Sequence, residues 1–263
     1  YTLTYTVKDS SGNTGTATRE VLVSGHAINN PSLANADHSN VIYLTFDDGP
    51  GPYTQDLLKV LHEYNVPATF FVTNQLPEYQ GLIALEAEEG HTVGNQTASH
   101  DYDKIYKDAE SFWADYDEMD AIIERQTGEK AKFMRFPGGS TNTFVGTEGL
   151  MNTLTKQANE KGLTYFDWNF TPDGNLYDLT EQEIYDMVVN TIEDPKDNKD
   201  TQVFLCHDTV EETVNVMSRI IEWLLDKGYV FLPVTENTPV VHFTPEVVTN
   251  DQPTDTGAEE VYY

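Results

Sequence analysis

The chain has 263 residues, 38% of them apolar, which is enough for one large folded domain with short appendages. Its 15 basic and 44 acidic residues give a net charge of -29, so the surface would repel both the phosphates of nucleic acids and an anionic membrane. No apolar run approaches the roughly 18 residues of a transmembrane helix, and no charged-then-apolar leader begins the sequence, so we expect neither membrane insertion nor a signal peptide.

The first 24 residues have the alternation of a β-hairpin. Apolar residues alternate with threonine from Tyr1 to Val7, a turn of Asp, Ser, Gly and Asn follows, and a second run ends at Val23. An isolated hairpin is only marginally stable in water, so we interpret residues 1–24 as the last two strands of a β domain. They resemble the end of a bacterial immunoglobulin-like repeat. Residues 25–39 are small and polar, which is typical of a linker.

From residue 40 to residue 241 the sequence alternates between short apolar runs and amphipathic helical patterns. The strand candidates are residues 41–46, 68–73, 91–95, 132–136, 163–168, 203–207 and 229–234. The helix candidates are residues 57–64, 81–89, 108–126, 148–161, a helix that opens at Thr180 with a capping box, and 213–227. Seven strands alternating with helices predict a parallel α/β architecture, as an open sheet or a barrel. Residues 242–263 are acidic and small with little periodicity, which indicates a mobile tail.

Reactive side chains follow five of the predicted strands. In chain order they are Asp47 with Asp48, His100, Arg135, the segment 168–173, and His207 with Asp208. The carboxyl ends of parallel strands lie at one face of a barrel, so we expect these residues to meet there. A single such residue is more often a solvated loop residue, but five strand ends together favour a functional site.

Two adjacent carboxylates in one pocket repel each other, which raises the pKa of one of them unless a positive charge neutralises the pair. We therefore expect one carboxylate of Asp47 and Asp48 to bind a divalent metal together with His100. The other, near Arg135, would stay charged and accept a proton from a water molecule that the metal activates. Gln96 lies four residues before His100, where one helical turn would place both on the same face, but its amide oxygen is a weaker zinc ligand than imidazole. This arrangement predicts a hydrolase.

The chain also resembles a known family through five motifs in a fixed order. They are TFDDGP (45–50), GHTVGNQTASH (90–100), RFPGGS (135–140), YFDWN (165–169) and FLCHD (204–208). They look like the motifs of the NodB-homology polysaccharide deacetylases, carbohydrate esterase family four, over about residues 40–240. The amino-acid sequences of the motifs look most similar to those of peptidoglycan deacetylases of Gram-positive bacteria. The resemblance implies a distorted (β/α) barrel of about seven strands that uses a divalent metal to remove N-acetyl or O-acetyl groups from a polysaccharide.

The same resemblance implies a bacterial protein that works outside the cell or in the cell wall. Its expected partner is a polysaccharide, most simply peptidoglycan or a chitin-like glycan, and we expect a monomer. Nucleic acid is not expected as a partner, because of the negative charge described above.

The resemblance further implies a role for each site residue. The catalytic residues are Asp47 as general base, Arg135 as the group that orients it, and His207 as general acid. The metal ligands are Asp48, His100 and Gln96, with Zn²⁺ as the expected metal and Co²⁺, Ni²⁺ or Mn²⁺ as alternatives. The substrate-binding residues are Pro137, Gly138, Trp168, Leu205 and Asp173. The backbone N–H of Gly138 would stabilise the oxyanion, and Trp168 with Leu205 would surround the acetyl methyl group.

The sequence departs from the family pattern at two places. Gln96 stands where the family normally has a histidine, so one of three metal ligands is replaced. Asp173 is the one remaining candidate for an aspartate that partners His207, and its position is shifted, which raises the alternative that His207 lacks an orienting carboxylate. The alternatives are an active deacetylase with an altered metal shell, a catalytically impaired domain that still binds glycan, and a different metal-dependent hydrolase on the same barrel.

Overall fold

The N-terminal segment forms the predicted hairpin. The computed structural model describes residues 2–20, 25–143, 149–174, 179–194 and 202–243. Strands β1 (Thr2–Lys8) and β2 (Thr14–Glu20) pair antiparallel, with Thr2 opposite Glu20. The side chain of Asp9 accepts hydrogen bonds from the backbone N–H groups of Ser11 and Asn13, both at 2.9 Å, which stabilises the turn. The end of the predicted second run, at Val23, lies outside the described residues, and its likeness to an immunoglobulin-like repeat stays a prediction.

A parallel sheet of seven strands carries the rest of the described fold. Its strands are β3 (Val41–Asp47), β4 (Thr69–Val72), β5 (Thr92–Asn95), β6 (Phe133–Met134), β7 (Thr164–Tyr165), β8 (Gln202–His207) and β9 (Val230–Phe231). Their order is β7-β6-β5-β4-β3-β8, and β9 pairs with the beginning of β3. Each strand lies inside one of the seven strand candidates or extends beyond it by a single residue. The predicted α/β architecture is therefore confirmed.

The sheet curls into a distorted barrel. The chain that leaves β7 runs beside β8, where Asn169 N donates to Val203 O at 3.1 Å and Leu205 N donates to Phe170 O at 2.9 Å. An isolated parallel bridge joins Phe170 and Phe204. These bonds connect the two ends of the strand order, so the carboxyl ends of the strands surround one shared opening.

Helices follow most of the strands. They are α1 (Thr54–Glu63), α2 (Leu82–Glu88), α3 (Tyr102–Ile105), α4 (Ala109–Thr127), α5 (Leu150–Glu160), α6 (Glu181–Glu193) and α7 (Glu211–Asp226). The short α3 was not predicted, whereas the capping box of Thr180 and Glu183 at the start of α6 is present as expected. Within the described residues, none of the helices combines the length and the apolar content needed to span a membrane.

Both faces of β3 are buried, which explains its uninterrupted apolar sequence. Successive side chains of a strand point to opposite sides. One side carries Ile42, Leu44 and Phe46, which pack with residues of α1 and α7. The other carries Val41 and Tyr43, which pack inside the barrel with side chains of β4, β8 and the chain after β7. A side chain at position 47 therefore belongs to the barrel interior.

The folded domain extends beyond its predicted boundaries at both ends. Asn29, in the predicted linker, is buried, and its side chain bonds both the N–H and the C=O of Phe231. At the other end, the packed chain continues past residue 241. His242 stacks on Tyr165 with ring centroids 3.9 Å apart, and Phe243 packs against Trp168. The tail predicted over residues 242–263 therefore begins no earlier than residue 244, and residues 244–263 lie outside the described part.

Candidate active site

Asp47 ends β3 inside the barrel, where Arg135 neutralises it. Arg135 Nη1 donates to Asp47 Oδ1 at 2.6 Å and to Thr45 Oγ1 at 2.7 Å, and Arg135 Nε donates to Phe166 O at 2.9 Å. Both members of the ion pair are buried. Burial raises the pKa of Asp47 to about 6, while the positive charges of Arg135 and His207 hold it from rising further. Asp47 is thus a carboxylate at neutral pH with a pKa suited to a general base.

Asp48 turns away from the barrel interior because its backbone adopts a left-handed conformation, with φ at 68°. Aspartate is one of the few non-glycine residues that tolerate this region. The turn places Asp48 Oδ1 at 3.2 Å from His100 Nε2, and Asp48 Oδ2 at 3.8 Å from His207 Nε2. Asp48 Oδ1 is buried and accepts no hydrogen bond from the described residues. A buried carboxylate oxygen without a donor is unfavourable unless a cation or a water molecule occupies the position that it faces.

The turn after Asp48 is supported by Asp208, whose role was not predicted. The Asp208 carboxylate accepts a hydrogen bond from Thr54 Oγ1, which itself accepts one from Gly51 N at 2.7 Å. The same carboxylate packs against Gly49 so closely that a side chain at that position would overlap it. Burial raises the pKa of Asp208 to about 7. Asp208 therefore fixes the loop that carries Asp48 and lies behind the pocket.

Gln96 joins both aspartates through its side-chain amide. Its Oε1 accepts a hydrogen bond from Asp48 N at 3.1 Å, and its Nε2 donates to Asp47 Oδ2 at 3.0 Å. Nε2 also lies 3.4 Å from His100 Nε2. Exchanging the amide oxygen and nitrogen would set an oxygen against the Asp47 carboxylate and an NH₂ group against the Asp48 N–H, so the observed orientation is favoured at both ends.

The segment from Gln96 to His100 is not helical, so a helical turn does not align the two side chains. Thr97 and His100 have positive φ values of 71° and 50°, and the segment curls across the barrel opening. Gln96 and His100 still meet, as expected from the sequence, but with the NH₂ group of the amide towards the imidazole.

Asp48 and His100 fit a divalent cation, whereas Gln96 does not in this orientation. A carboxylate oxygen without a hydrogen-bond donor and an imidazole nitrogen 3.2 Å away are the donor types that zinc prefers. In the part of the chain that is described, however, no three His, Cys, Asp or Glu side chains group closely enough to hold a metal. In this orientation Gln96 turns its NH₂ group towards His100, and its oxygen accepts a hydrogen bond from the Asp48 N–H.

His207 ends β8 directly beside Asp47 of β3 in the parallel register, and Asp173 orients it. Asp173 Oδ1 lies 3.1 Å from His207 Nδ1, and Asp173 Oδ2 accepts from His207 N and from Thr213 Oγ1, both at 2.8 Å. Burial by itself lowers the pKa of His207, but the negative charges of Asp173, Asp48 and Asp47 raise it to about 9. The alternative that His207 lacks an orienting carboxylate is therefore wrong. Asp173 is only 1% exposed and bonds His207 on its Nδ1 side, so its role is to orient His207 instead of contacting substrate.

The loop from Pro137 to Ser140 forms another wall of the opening. Pro137 O accepts hydrogen bonds from Tyr106 Oη at 2.6 Å and from Asn142 Nδ2 at 3.0 Å, which fixes the peptide that precedes Gly138. Gly138 is exposed with φ at 74°, a conformation that favours glycine. Its backbone N–H is therefore carried by an anchored loop, as an oxyanion donor requires.

Asp167 holds this loop, and sequence reasoning missed it. The residue is fully buried, and its carboxylate accepts hydrogen bonds from Ser140 N at 2.8 Å, from Ser140 Oγ and from Phe243 N at 2.6 Å. Its only signal in the sequence was its place immediately before Trp168 in the fourth motif.

Trp168 and Leu205 supply the apolar surface expected beside the catalytic pair. Leu205 lies two residues before His207 on β8, so both side chains point to the same side of the strand. The half-buried Trp168 ring has its centroid 5.6 Å from Arg135 Cζ. Leu205 therefore neighbours His207, and Trp168 neighbours the arginine that bonds Asp47.

Comparisons with known proteins identify the family of the chain. The family model described as polysaccharide deacetylase matches residues 34–165. A peptidoglycan-N-acetylglucosamine deacetylase of Bacillus cereus is 32% identical over 207 residues, which cover 76% of this chain and 71% of that protein. The solved catalytic domain of the peptidoglycan N-acetylglucosamine deacetylase of Eubacterium rectale superposes with a TM-score of 0.76 and 42% identity, covering 84% of this chain and 97% of that one. A solved polysaccharide deacetylase of Bacillus cereus gives a TM-score of 0.65 at 30% identity, covering 80% and 98%. The chain belongs to the polysaccharide deacetylases, the carbohydrate esterases of family four, and is an enzyme of that class.

Proposed function

We propose that this enzyme hydrolyses the N-acetyl groups of N-acetylglucosamine in peptidoglycan, with Asp47 as general base and His207 as general acid. The observation that carries the proposal is the pairing of these two residues at the ends of neighbouring strands, Asp47 opposite His207. One is a carboxylate with a pKa raised to about 6, and the other is an imidazole with a pKa raised to about 9. Between these values the base is deprotonated and the acid is protonated, as hydrolysis of an amide requires.

The hydrogen bonds of the pair assign the proton transfers to particular atoms. Arg135 holds Asp47 Oδ1, so Oδ2 takes the proton of the attacking water; this oxygen has a second lone pair besides the one that Gln96 engages. The water oxygen bonds to the acetyl carbon, and the Gly138 N–H stabilises the negative oxygen that forms. Asp173 engages His207 Nδ1, so His207 Nε2 gives its proton to the nitrogen as the C–N bond breaks. Acetate and a free amine result.

A divalent cation is part of the proposal. Asp48 and His100 would hold it, and the buried Asp48 oxygen without a hydrogen-bond donor supports this choice. When bound, such a cation polarises the acetyl carbonyl and lowers the pKa of water. Zn²⁺ is the first choice for a carboxylate and imidazole pair, with Co²⁺, Ni²⁺ and Mn²⁺ as alternatives.

The substrate and setting rest on the relatives. The Bacillus cereus and Eubacterium rectale proteins described above are both named for N-acetylglucosamine of peptidoglycan, which supports this sugar over an acetylated xylan. We place the enzyme outside the cell or in the cell wall, where peptidoglycan lies, and we expect it to act as a monomer. The relatives do not support the alternative of an impaired glycan-binding domain, and in the site the base contacts its arginine and the acid contacts its orienting carboxylate.

Acetate release tests the proposal. The purified protein, with its metal content measured, is incubated with peptidoglycan, chitin oligomers and acetylated xylan, and acetate is quantified. We expect release from peptidoglycan and a loss of at least about 100-fold in Asp47→Asn, because general bases contribute roughly this much or more. Asp56→Asn, the same change at an exposed position of α1, serves as the matched control and keeps wild-type rates. Glycan binding without acetate release by the metal-loaded protein would overturn the proposed activity.

A further inference from the structure

Phe243 reaches the rim of the active site although it follows the last strand by a dozen residues. Its backbone N–H donates to the buried Asp167 carboxylate at 2.6 Å. Its ring packs edge to face against Trp168, with centroids 4.8 Å apart and an interplanar angle of 74°. The preceding residue, His242, stacks on Tyr165, and its Nε2 lies 3.0 Å from Tyr165 O. Phe243 is thus held in place by both its own backbone and its neighbour.

The loop from Pro137 to Ser140 leaves room for the Phe243 ring at Gly139. Gly139 has φ at 88°, and a Cβ atom built there would lie 2.5 Å from a ring carbon of Phe243. Glycine at this position therefore leaves room for the aromatic ring. The Asp167 carboxylate that anchors Phe243 also anchors the loop through Ser140 N and Oγ. One buried group consequently sets the position of Phe243 relative to the loop that carries the Gly138 N–H.

Trp168 connects Phe243 to the catalytic residues through direct ring contacts. Trp168 lies 5.6 Å from the guanidinium carbon of Arg135, which bonds the base Asp47. Phe243 packs against the same Trp168 ring, and both side chains are only partly buried. Partly exposed aromatic faces next to a polar site are typical of pockets that bind ligands with apolar faces, and sugar rings have such faces.

We propose that Phe243, which packs against Trp168, provides an aromatic subsite that stacks a sugar ring next to the acetylated one, so that Phe243 determines preference for longer glycans. The proposal rests on the proposed deacetylase function. It predicts that Phe243 contributes to binding of oligomers, whereas a single N-acetylglucosamine unit does not reach it. Phe243 itself takes no part in the transfer of protons.

Binding to an inactive variant tests the subsite separately from the activity. In the Asp47→Asn background, the dissociation constant for chitin tetramer is measured by titration calorimetry with and without Phe243→Leu. Leucine keeps apolar packing on Gly139 but lacks the aromatic face, so we expect roughly 3- to 10-fold weaker binding. Phe243→Tyr, which keeps the ring, should bind as the parent does. Val240→Ala, an exposed position of the same segment, is the matched control.

Kinetics of the otherwise wild-type enzyme complete the test. Phe243→Leu should raise KM for the tetramer by a similar factor, leave kcat nearly unchanged, and leave turnover of the monomer unaffected. A lower kcat on all substrates with unchanged tetramer binding would show that Phe243 merely supports the loop, and would overturn the subsite. If the wild-type enzyme released no acetate while Phe243→Leu still weakened tetramer binding, the proposed activity would fail and the subsite would stand.

Discussion

Replacing Asp173 by asparagine should move the basic limit of activity to lower pH. Burial lowers the pKa of His207, and the Asp173 carboxylate, 3.1 Å from Nδ1, is the largest influence that raises it, to about 9. At this distance and an effective dielectric constant of about 20, a carboxylate and an imidazolium attract by roughly 5 kcal/mol, which corresponds to roughly 4 pH units. Without that charge, burial prevails, and we expect the pKa of His207 to fall to its ordinary value of about 6.5 or below.

The pH profile of kcat/KM measures this change, because it reports the ionisations of the free enzyme. A general acid must be protonated, so wild-type activity decreases as pH rises through about 9. In Asp173→Asn the decrease should begin near pH 6.5, which at pH 8 makes the protonated fraction of His207 about 30-fold smaller. Acetate release from a chitin oligomer, in buffers that contain the same metal, provides the rates. The acid limb, set by Asp47 with its pKa near 6, should move towards higher pH in the same variant, because the His207 imidazolium helps to hold the pKa of Asp47 down.

A matched variant separates charge from hydrogen bonding. Thr213→Val removes one donor to Asp173 but keeps the carboxylate, so its basic limb should stay within about 0.5 pH units of the wild type. If Asp173→Asn retained a basic limb near pH 9, that limb would not report His207. The assignment of His207 as the general acid would then be refuted.

Two further variants test the other side of the site. Gln96→His should bind Zn²⁺ roughly 10-fold or more tightly in a titration against a competing chelator. The reason is that imidazole replaces an amide whose oxygen is engaged by the Asp48 N–H. Equal affinity would show that position 96 does not contact the metal. Arg135→Met leaves Asp47 buried without its cation and should lower the free energy of unfolding in urea by about 3–5 kcal/mol. The exposed Lys132→Met is its control, and similar losses in both variants would contradict a role of the Asp47 pair in stability.

The architecture followed from the sequence because its determinants are local. Apolar runs that alternate with amphipathic helices indicate buried parallel strands, and the rule that reactive residues lie at carboxyl ends of such strands predicted that Asp47, Arg135 and His207 would meet. These three residues do meet, in contacts that need only the strand order and the alternation of side chains.

Contacts that depend on loop conformation could not be predicted in this way. The spacing of Gln96 and His100 suggests a helix, but positive φ values at Thr97 and His100 bend the chain through a path with no simple pattern. Asp173 appeared displaced when motifs were compared by position, yet the loop after β7 brings its carboxylate to His207. Phe243 lies in a segment without periodicity, and its position follows from tertiary contacts with Asp167, Trp168 and Gly139.

The charges of the site favour a cation even though an imidazole ligand is missing. The carboxylates of Asp47, Asp48 and Asp173 face the guanidinium of Arg135 and the imidazolium of His207, whose pKa of about 9 keeps it charged at neutral pH. Among these five groups one negative charge is left over, and it is least compensated at Asp48, whose Oδ1 accepts no hydrogen bond from the described residues. Glutamine and neutral histidine carry the same charge, so a glutamine at position 96 removes a ligand without reducing the electrostatic attraction for a cation. This is why we expect Gln96→His to strengthen an existing metal site instead of creating a site where none exists.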